Sequence, residues 1–331
     1  MTELYPLKFK PVLKERVWGG SRLATAYGKK APEGMKIGES WELSAVQGDI
    51  SSVANGFLEG NSLEEIVEVY MGDLVGEKVF EKFGREFPLL IKLIDASEDL
   101  SIQVHPPDEL SRERHHAYGK TEMWYVLEAE HNAKIYTGFR QEMTKEEFRS
   151  SLDKGDIAEK MNIEKPDPGD VFFLPAGRVH AIGGGVVLAE IQQTSDVTYR
   201  IWDWNRNGLD GKPRELHTEL SVDAIDYKSY DSYKTRIEPE RNGTVNLIDC
   251  DYFTCNLIEL DRDMIKDYSL TDSFIVYICT SGEASIEWEE GKMDITKGET
   301  ILIPAIMEKI MVRALSPVKI LEVYIREIKK S

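Results

Sequence analysis

The chain has 331 residues, 59 acidic against 41 basic, and a formal net charge of −18. No Lys/Arg cluster reaches the density of a nucleic-acid footprint, so nucleic acid is excluded as a partner. An anionic ligand would meet long-range repulsion and needs a locally basic pocket to overcome it.

A chain of this length supports one large or two moderate domains. The N-terminal stretch "MTELYPLKFKPVLKERVWGG" carries no apolar h-region. No segment approaches the roughly 18 apolar residues of a membrane span, so no membrane partner is expected. Cys250, Cys255 and Cys279 form no CxxC pair and are odd in number. They read as small core hydrophobes in a reducing, cytoplasmic setting. Nothing in the sequence fixes an oligomeric state.

In chain order, "SLEEIVEVYMGDLVGEKVFEKFG" opens with a capping box from Ser62 to Glu65 and continues with helix-period apolar residues. Short strands follow at 87–95, 101–106, 121–130 and 133–139. A second boxed helix starts at Thr144 with Glu147, and strands return at 170–176 and 185–193. The two helical segments read as appendages on a β scaffold, and the strand spacing predicts an antiparallel sandwich or barrel. Residues 226–245 are polar and aperiodic, the composition of a connection, and strands resume after it.

An internal repeat organises this pattern. "PGDVFFLPAGRVHAIGGG" and "KGETILIPAIMEKIMV" each place Gly and Pro six apart, at Gly169 and Pro175 and again at Gly298 and Pro304. The second copy lacks histidine. Two related β units are expected, one equipped with polar groups and one stripped of them, with boundaries at 1–230 and 231–331.

The stretch "SIQVHP" puts Gln103 and His105 on one face of a strand whose other face, Ile102 and Val104, is core-like. Glu122 opens an apolar strand where an unpaired carboxylate is costly to bury, and His180 follows a Gly-Pro-Gly frame. Two imidazoles, a carboxylate and an amide oxygen make a donor set for Zn²⁺, at ligand distances of about 2.0–2.2 Å. His115 and His116 fall in a polar loop, His131 in a turn, and His217 after a charged segment, so they are weaker candidates.

Gly169, Pro175, Gly177 and His180 resemble the second metal-binding motif of cupins, and Gln103, His105 and Glu122 a variant of the first. "WGG" at 18–20, "IGESWELS", "SIQVHP", "GKTEMWYVL" and "LAEIQQTSDVTYRIWDW" together resemble short bacterial type I mannose-6-phosphate isomerases. The resemblance implies a mainly β fold of cupin-type (jelly-roll) barrels in a bicupin arrangement with small helical insertions. It implies one Zn²⁺ per chain on Gln103, His105, Glu122 and His180, a catalytic Arg200, and Lys120, Glu190 and Asp196 at the site. The activity it implies interconverts mannose 6-phosphate and fructose 6-phosphate through an enediol, with the sugar phosphate as small-molecule partner.

Two features depart from the family pattern. Gly183–Gly185 replaces the cupin motif's closing Asn, and the helical segment of larger members is shortened. On the residues alone, Arg200 also reads as an ion-pair partner of Asp196 or Asp203, Lys120 as a solvated charge, and Glu190 as solvent-facing. Two other functions stay open here: a non-haem Fe(II) oxygenase built on the two His and one Glu, and a non-catalytic sugar-phosphate-binding bicupin. For the phosphate, Ser101, Lys92 and Arg178 stand nearest the motifs in sequence.

Overall fold

The computed structural model describes residues 4–326. The fold is mainly β, with four antiparallel sheets stacked in layers. A five-stranded sheet runs in the order Tyr199–Trp202, Ile102–Val104, His180–Ile182, Ile135–Phe139, Met161–Glu164. Against it packs a seven-stranded sheet of Lys234–Thr235, Val171–Leu174, Glu122–Ala129, Val186–Gln193, Leu89–Ala96, Val12–Gly20 and Ile37–Leu43. A second seven-stranded sheet and a four-stranded sheet form the other pair. The jelly-roll layering therefore appears as two pairs of facing sheets.

Period-two alternation explains the layers. In Leu89–Ala96, residues Leu89, Ile91 and Leu93 join one core while Ile94 and Ala96 join another on the opposite face. The first core fills the space between the two seven-stranded sheets, where Met123, Tyr125 and Ile191 meet Leu257, Val276 and Leu321. The second lies inside the first sheet pair, where Trp124, Phe172 and Leu188 meet Ile135 and Ile182. A third fills the C-terminal pair, with Ile258, Tyr277 and Ile320 against Ile286 and Val312.

Both capping boxes form, at Ser62 and Glu65 and at Thr144 and Glu147. The first helical segment is more than an appendage. It kinks at Met71, whose φ is +45°, continues to Val75, and a second helix, Glu77–Phe83, follows after Gly76. Leu63, Ile66, Val67, Leu74, Val75 and Val79 all enter the core between the large sheets, so this segment seals that interface. The stretch read as a polar loop around His115 is a helix, Asp108–His115. Its mean hydropathy is low, and Ser111 is its one buried residue among those described, so no apolar stripe announces it.

The polar connection carries a short strand, Lys234–Thr235, which pairs with Val171–Leu174, and its last residues begin the strand Gly243–Asp249. At the other end of the chain, Leu7–Lys10 pairs with Thr300–Ile303, hydrogen-bonding the N-terminus into the C-terminal sheet. All three cysteines are free, with Cys255 and Cys279 buried. Among the described residues no helix is long and apolar enough to cross a membrane.

Candidate metal centre and its cavity

The inward face of the first sheet pair is polar at one end because four strands deliver their polar members to the same place. Gln103 pairs in register with His180 on one side and with Arg200 on the other. On the facing sheet, Glu122 pairs with Gln192, Trp124 with Glu190, and Glu190 with Lys92. Alternation then points Glu122, Glu190 and Lys92 to the side that Gln103, His105 and His180 face.

His105, Glu122 and His180 converge, with one potential ligand atom from each lying within 4.8 Å of the others. Each imidazole is oriented by a carbonyl. Nδ1 of His105 donates to Val197 O at 3.0 Å and Nδ1 of His180 to Arg178 O at 2.8 Å, so the Nε2 lone pairs point at the centre. Burial and then the Lys120 charge push His180 down to about 4, and the same causes hold His105 well below the ordinary range. Both rings are therefore neutral, the form that ligates.

Glu122 is fully buried and neither carboxylate oxygen makes a directed hydrogen bond among the described residues. Lys120 Nζ lies 2.9 Å from Oε2, His180 Nε2 3.3 Å from Oε1 and His105 Nε2 3.5 Å from Oε2. Burial, then the Glu190 charge, drives Glu122 up to about 7. A buried carboxylate so poorly satisfied, beside two lone pairs of fixed direction, fits a divalent cation. Gln103 turns Nε2 toward His180 Nε2 at 3.3 Å, and ligation would call for the oxygen end of that amide.

Above this cluster lies a cavity of about 760 Å³. Gln103, Lys120, Glu190, Asp196 and Arg200 all line it, so the eight site residues implied by the resemblance are at the cluster or on its cavity wall. Their environments differ. Glu190 is buried, accepts from Lys92 Nζ at 2.9 Å and from Trp124 Nε1 at 2.8 Å, and is not solvent-facing. Against its burial, Lys92 and Lys120 hold it down to about 2, so it is a carboxylate throughout the neutral range. Lys120 is likewise buried rather than solvated. Despite that burial, Glu122 and Glu190 keep its pKa raised. Asp196 is exposed at the rim.

Arg200 is not the partner of Asp203, which is held by Arg206 and Arg214 instead. Arg200 Nη1 donates to Glu215 O at 2.8 Å, and its backbone is bracketed by His217, whose N donates to Arg200 O and whose Nδ1 accepts from Arg200 N. His217 thus positions the arginine, a role its sequence neighbourhood did not suggest. His115 stands away from the cluster and bonds Tyr199 OH at 2.7 Å.

Of the phosphate candidates, Lys92 and Ser101 line the cavity, but Lys92 is neutralised by Glu190. Arg178 does not line it, its guanidinium stacking on Tyr230 and Tyr233 at 4.4 and 4.8 Å. Sequence reasoning missed most of the N-terminal wall: Lys14, Arg16, Glu39 and Trp41 also line the cavity. Trp41 and Glu39 lie in "IGESWELS", whose alternation would have marked a strand.

The profile of the type I phosphomannose isomerase catalytic domain matches residues 6–146, and that of the mannose-6-phosphate isomerase cupin domain matches 243–321. The chain is 37% identical over 305 residues to mannose-6-phosphate isomerase ManA of Bacillus subtilis, covering 90% of this chain and 93% of that one. It is 30% identical to mannose-6-phosphate isomerase of Streptococcus mutans, covering 90% and 92%. The crystal structure of mannose 6-phosphate isomerase from Bacillus subtilis superposes with a TM-score of 0.87 at 30% identity, covering 97% of this chain and 99% of that one. The chain belongs to the type I mannose-6-phosphate isomerase family.

Proposed function

We propose that the protein is a metal-dependent aldose-ketose isomerase that interconverts mannose 6-phosphate and fructose 6-phosphate, with Zn²⁺ held by Gln103, His105, Glu122 and His180. The observation that carries this is the convergence of two pre-oriented neutral imidazoles and an unsatisfied carboxylate beneath a cavity large enough for a sugar phosphate. Two nitrogen ligands with carboxylate and amide oxygens suit zinc. In the same reading, residues 1–230 form the catalytic unit and residues 231–331 a β unit without metal ligands, and the enzyme is cytoplasmic.

Isomerisation shifts one proton from C2 of the open-chain aldose to C1, while the C1 oxygen gains a proton and the C2 hydroxyl loses one. Atoms and charge balance without a co-reactant. The hard step is loss of a weakly acidic C–H proton beside a carbonyl, with negative charge developing on oxygen. When bound, the metal supplies Lewis-acid polarisation of the sugar oxygens.

The residues of the chain do the rest. Arg200, its backbone fixed by His217 and one guanidinium nitrogen by Glu215, stabilises the enediolate as charge builds. Lys120 and Glu190 are buried on the cavity wall with fixed partners, and with Asp196 at the rim they are the groups that orient hydroxyls and carry the proton. Buried walls of Trp18, Ile94 and Ile182 limit water around the reacting carbons.

A coupled assay for mannose 6-phosphate conversion with and without chelator tests the reading. Metal-dependent turnover, abolished by chelation and by His180→Ala, is the expected outcome. Full activity of the His180→Ala protein, or activity indifferent to chelator, would overturn it.

A further inference from the structure

The chain carries a net charge of −18, yet the substrate class proposed for it is a dianion, so some part of the cavity must offer it anchored cationic donors. That part is not the floor, where Lys92 and Lys120 are matched by Glu190 and Glu122. It is the end built by the strand Val12–Gly20 and the loop after Trp202.

Arg16 on the strand donates from Nε to Glu39 Oε1 at 2.9 Å and from Nη1 to Glu15 O at 3.2 Å. Glu39 is itself pinned by Trp41 Nε1 at 2.6 Å, so the anchor behind Arg16 is rigid. Lys14 sits over the Trp41 ring at 4.7 Å and pairs with Asp49. Arg214, from the loop, is gripped through Nε and Nη2 by both oxygens of Asp203, at 2.7 and 2.5 Å.

Each of these arginines is thus held from behind, with donors to spare. Among the described residues Arg16 Nη2 and Arg214 Nη1 make no hydrogen bond, and Arg200 Nε is buried without a partner. The groups are close enough to feel one another: after burial, repulsion from Arg214, Arg16 and Arg206 lowers the Arg200 pKa. Against these four guanidinium groups stand Glu39 and Asp203, both already used as anchors, with Glu15 and Asp210 also on the cavity wall. The cavity's basic and acidic lining residues are matched in number, and what sets this end apart is that Arg16 and Arg214 are anchored and keep unspent donors at its wall.

We propose that Arg16 and Arg214 clamp the phosphate group of the substrate, with Lys14 adding charge at the rim. Planar guanidinium forks fixed by carboxylates match phosphate oxygens bidentately, and their rigidity lowers the entropy lost on binding. The Arg200 strand is hydrogen-bonded in register to Gln103, so a phosphate held at this end leaves the sugar reaching toward the metal cluster. The proposal rests on the isomerase reading for the identity of the sugar, not for the anion site itself.

The test uses Arg16→Gln and Arg214→Gln in the metal-loaded full chain. KM and kcat for mannose 6-phosphate are measured alongside the affinity for inorganic phosphate by calorimetry. Each variant is expected to raise KM and the phosphate Kd by about tenfold or more while kcat changes far less, as loss of uniform binding requires. Unchanged phosphate affinity in both variants, or a fall in kcat at constant KM, would overturn the clamp. Lys14→Gln, which leaves both arginine anchors intact, is expected to weaken phosphate binding in the same direction by a smaller factor, and no change there would remove Lys14 from it. If the wild type fails to isomerise mannose 6-phosphate but the variants still lose phosphate binding, the isomerase reading fails and the clamp stands. If the wild type turns over and the variants bind phosphate normally, only the clamp fails.

Discussion

The two β units present the same register to different ends. After Gly169 and Gly298, both at positive φ, run the strands Val171–Leu174 and Thr300–Ile303. Opposite Leu174 stands Glu122, and opposite Ile303 stands Ile275. Two residues on come Trp124 and Tyr277, which pair across to Glu190 and Glu322, and these in turn to Lys92 and Asn256.

Both units therefore bury a glutamate in the same place. Glu322 is as well satisfied as Glu190, taking Tyr268 OH at 2.5 Å, Asn256 Nδ2 at 2.7 Å and Lys266 Nζ at 2.8 Å. The expectation that the second unit is stripped of polar groups is corrected on this point. What it lacks is a counterpart of Glu122, the carboxylate proposed to hold the metal: in that place the second unit has Ile275. A buried carboxylate alone does not mark a site. The mark is a carboxylate that lacks a directed hydrogen bond and stands beside two imidazoles oriented toward it.

The sharpest way to break this comparison is to write the second unit's residue into the first. Glu122→Ile is expected to abolish stoichiometric metal binding and cut turnover by more than about a hundredfold, since even residues that merely support a ligand cost up to that much. Elemental analysis and the coupled assay check both, and retained metal would show that the slot is not what separates the units. Next in size, Arg200→Ala should lower turnover by about a hundredfold, the loss of one preorganised donor to a developing oxyanion, with metal content unchanged.

This comparison also explains what was legible in the sequence. Gln103 and His105 stand out because they share one face of a period-two strand, Glu122 because it opens an apolar strand, His180 because it follows a Gly-Pro-Gly frame, and the Gly-to-Pro spacing exposes the repeat. Glu322 is as deeply buried as Glu122, but its partners lie far apart in sequence, at 256, 266 and 268. No local pattern could announce them. The Asp108–His115 helix was missed because a helix with one buried Ser offers no apolar stripe. Arg16 and Arg214 act through anchors, Glu39 and Asp203, that only the folded chain brings to them.

A smaller effect is expected from the second unit's own cluster. Glu322→Leu would leave Lys266, Tyr268 and Asn256 without their shared acceptor at a cost of about 3–5 kcal/mol, the range for breaking a buried pair from one side. Thermal melting should fall accordingly while turnover of the folded protein stays at the wild-type level. A loss of turnover matching that of Arg200→Ala would instead join this cluster to the chemistry and erase the contrast.

The smallest effect appears only at alkaline pH. Burial first, and then the neighbouring Tyr277 and Glu322 for Tyr268 and Glu322 for Tyr277, raise both phenols well above 10. With a folded pKa above the unfolded one, each phenol keeps its proton in the native state where the unfolded chain has lost it. The stability this contributes is complete below about pH 10 and declines as pH climbs past that value. Tyrosinate absorbance should therefore keep a late stage, which these phenols share with Tyr27, Tyr125, Tyr227 and Tyr252, also raised by burial. In Glu322→Leu the neighbouring negative charge is gone, so their share of the late stage should move to lower pH, whereas an unmoved late stage would locate the protected phenols elsewhere in the chain.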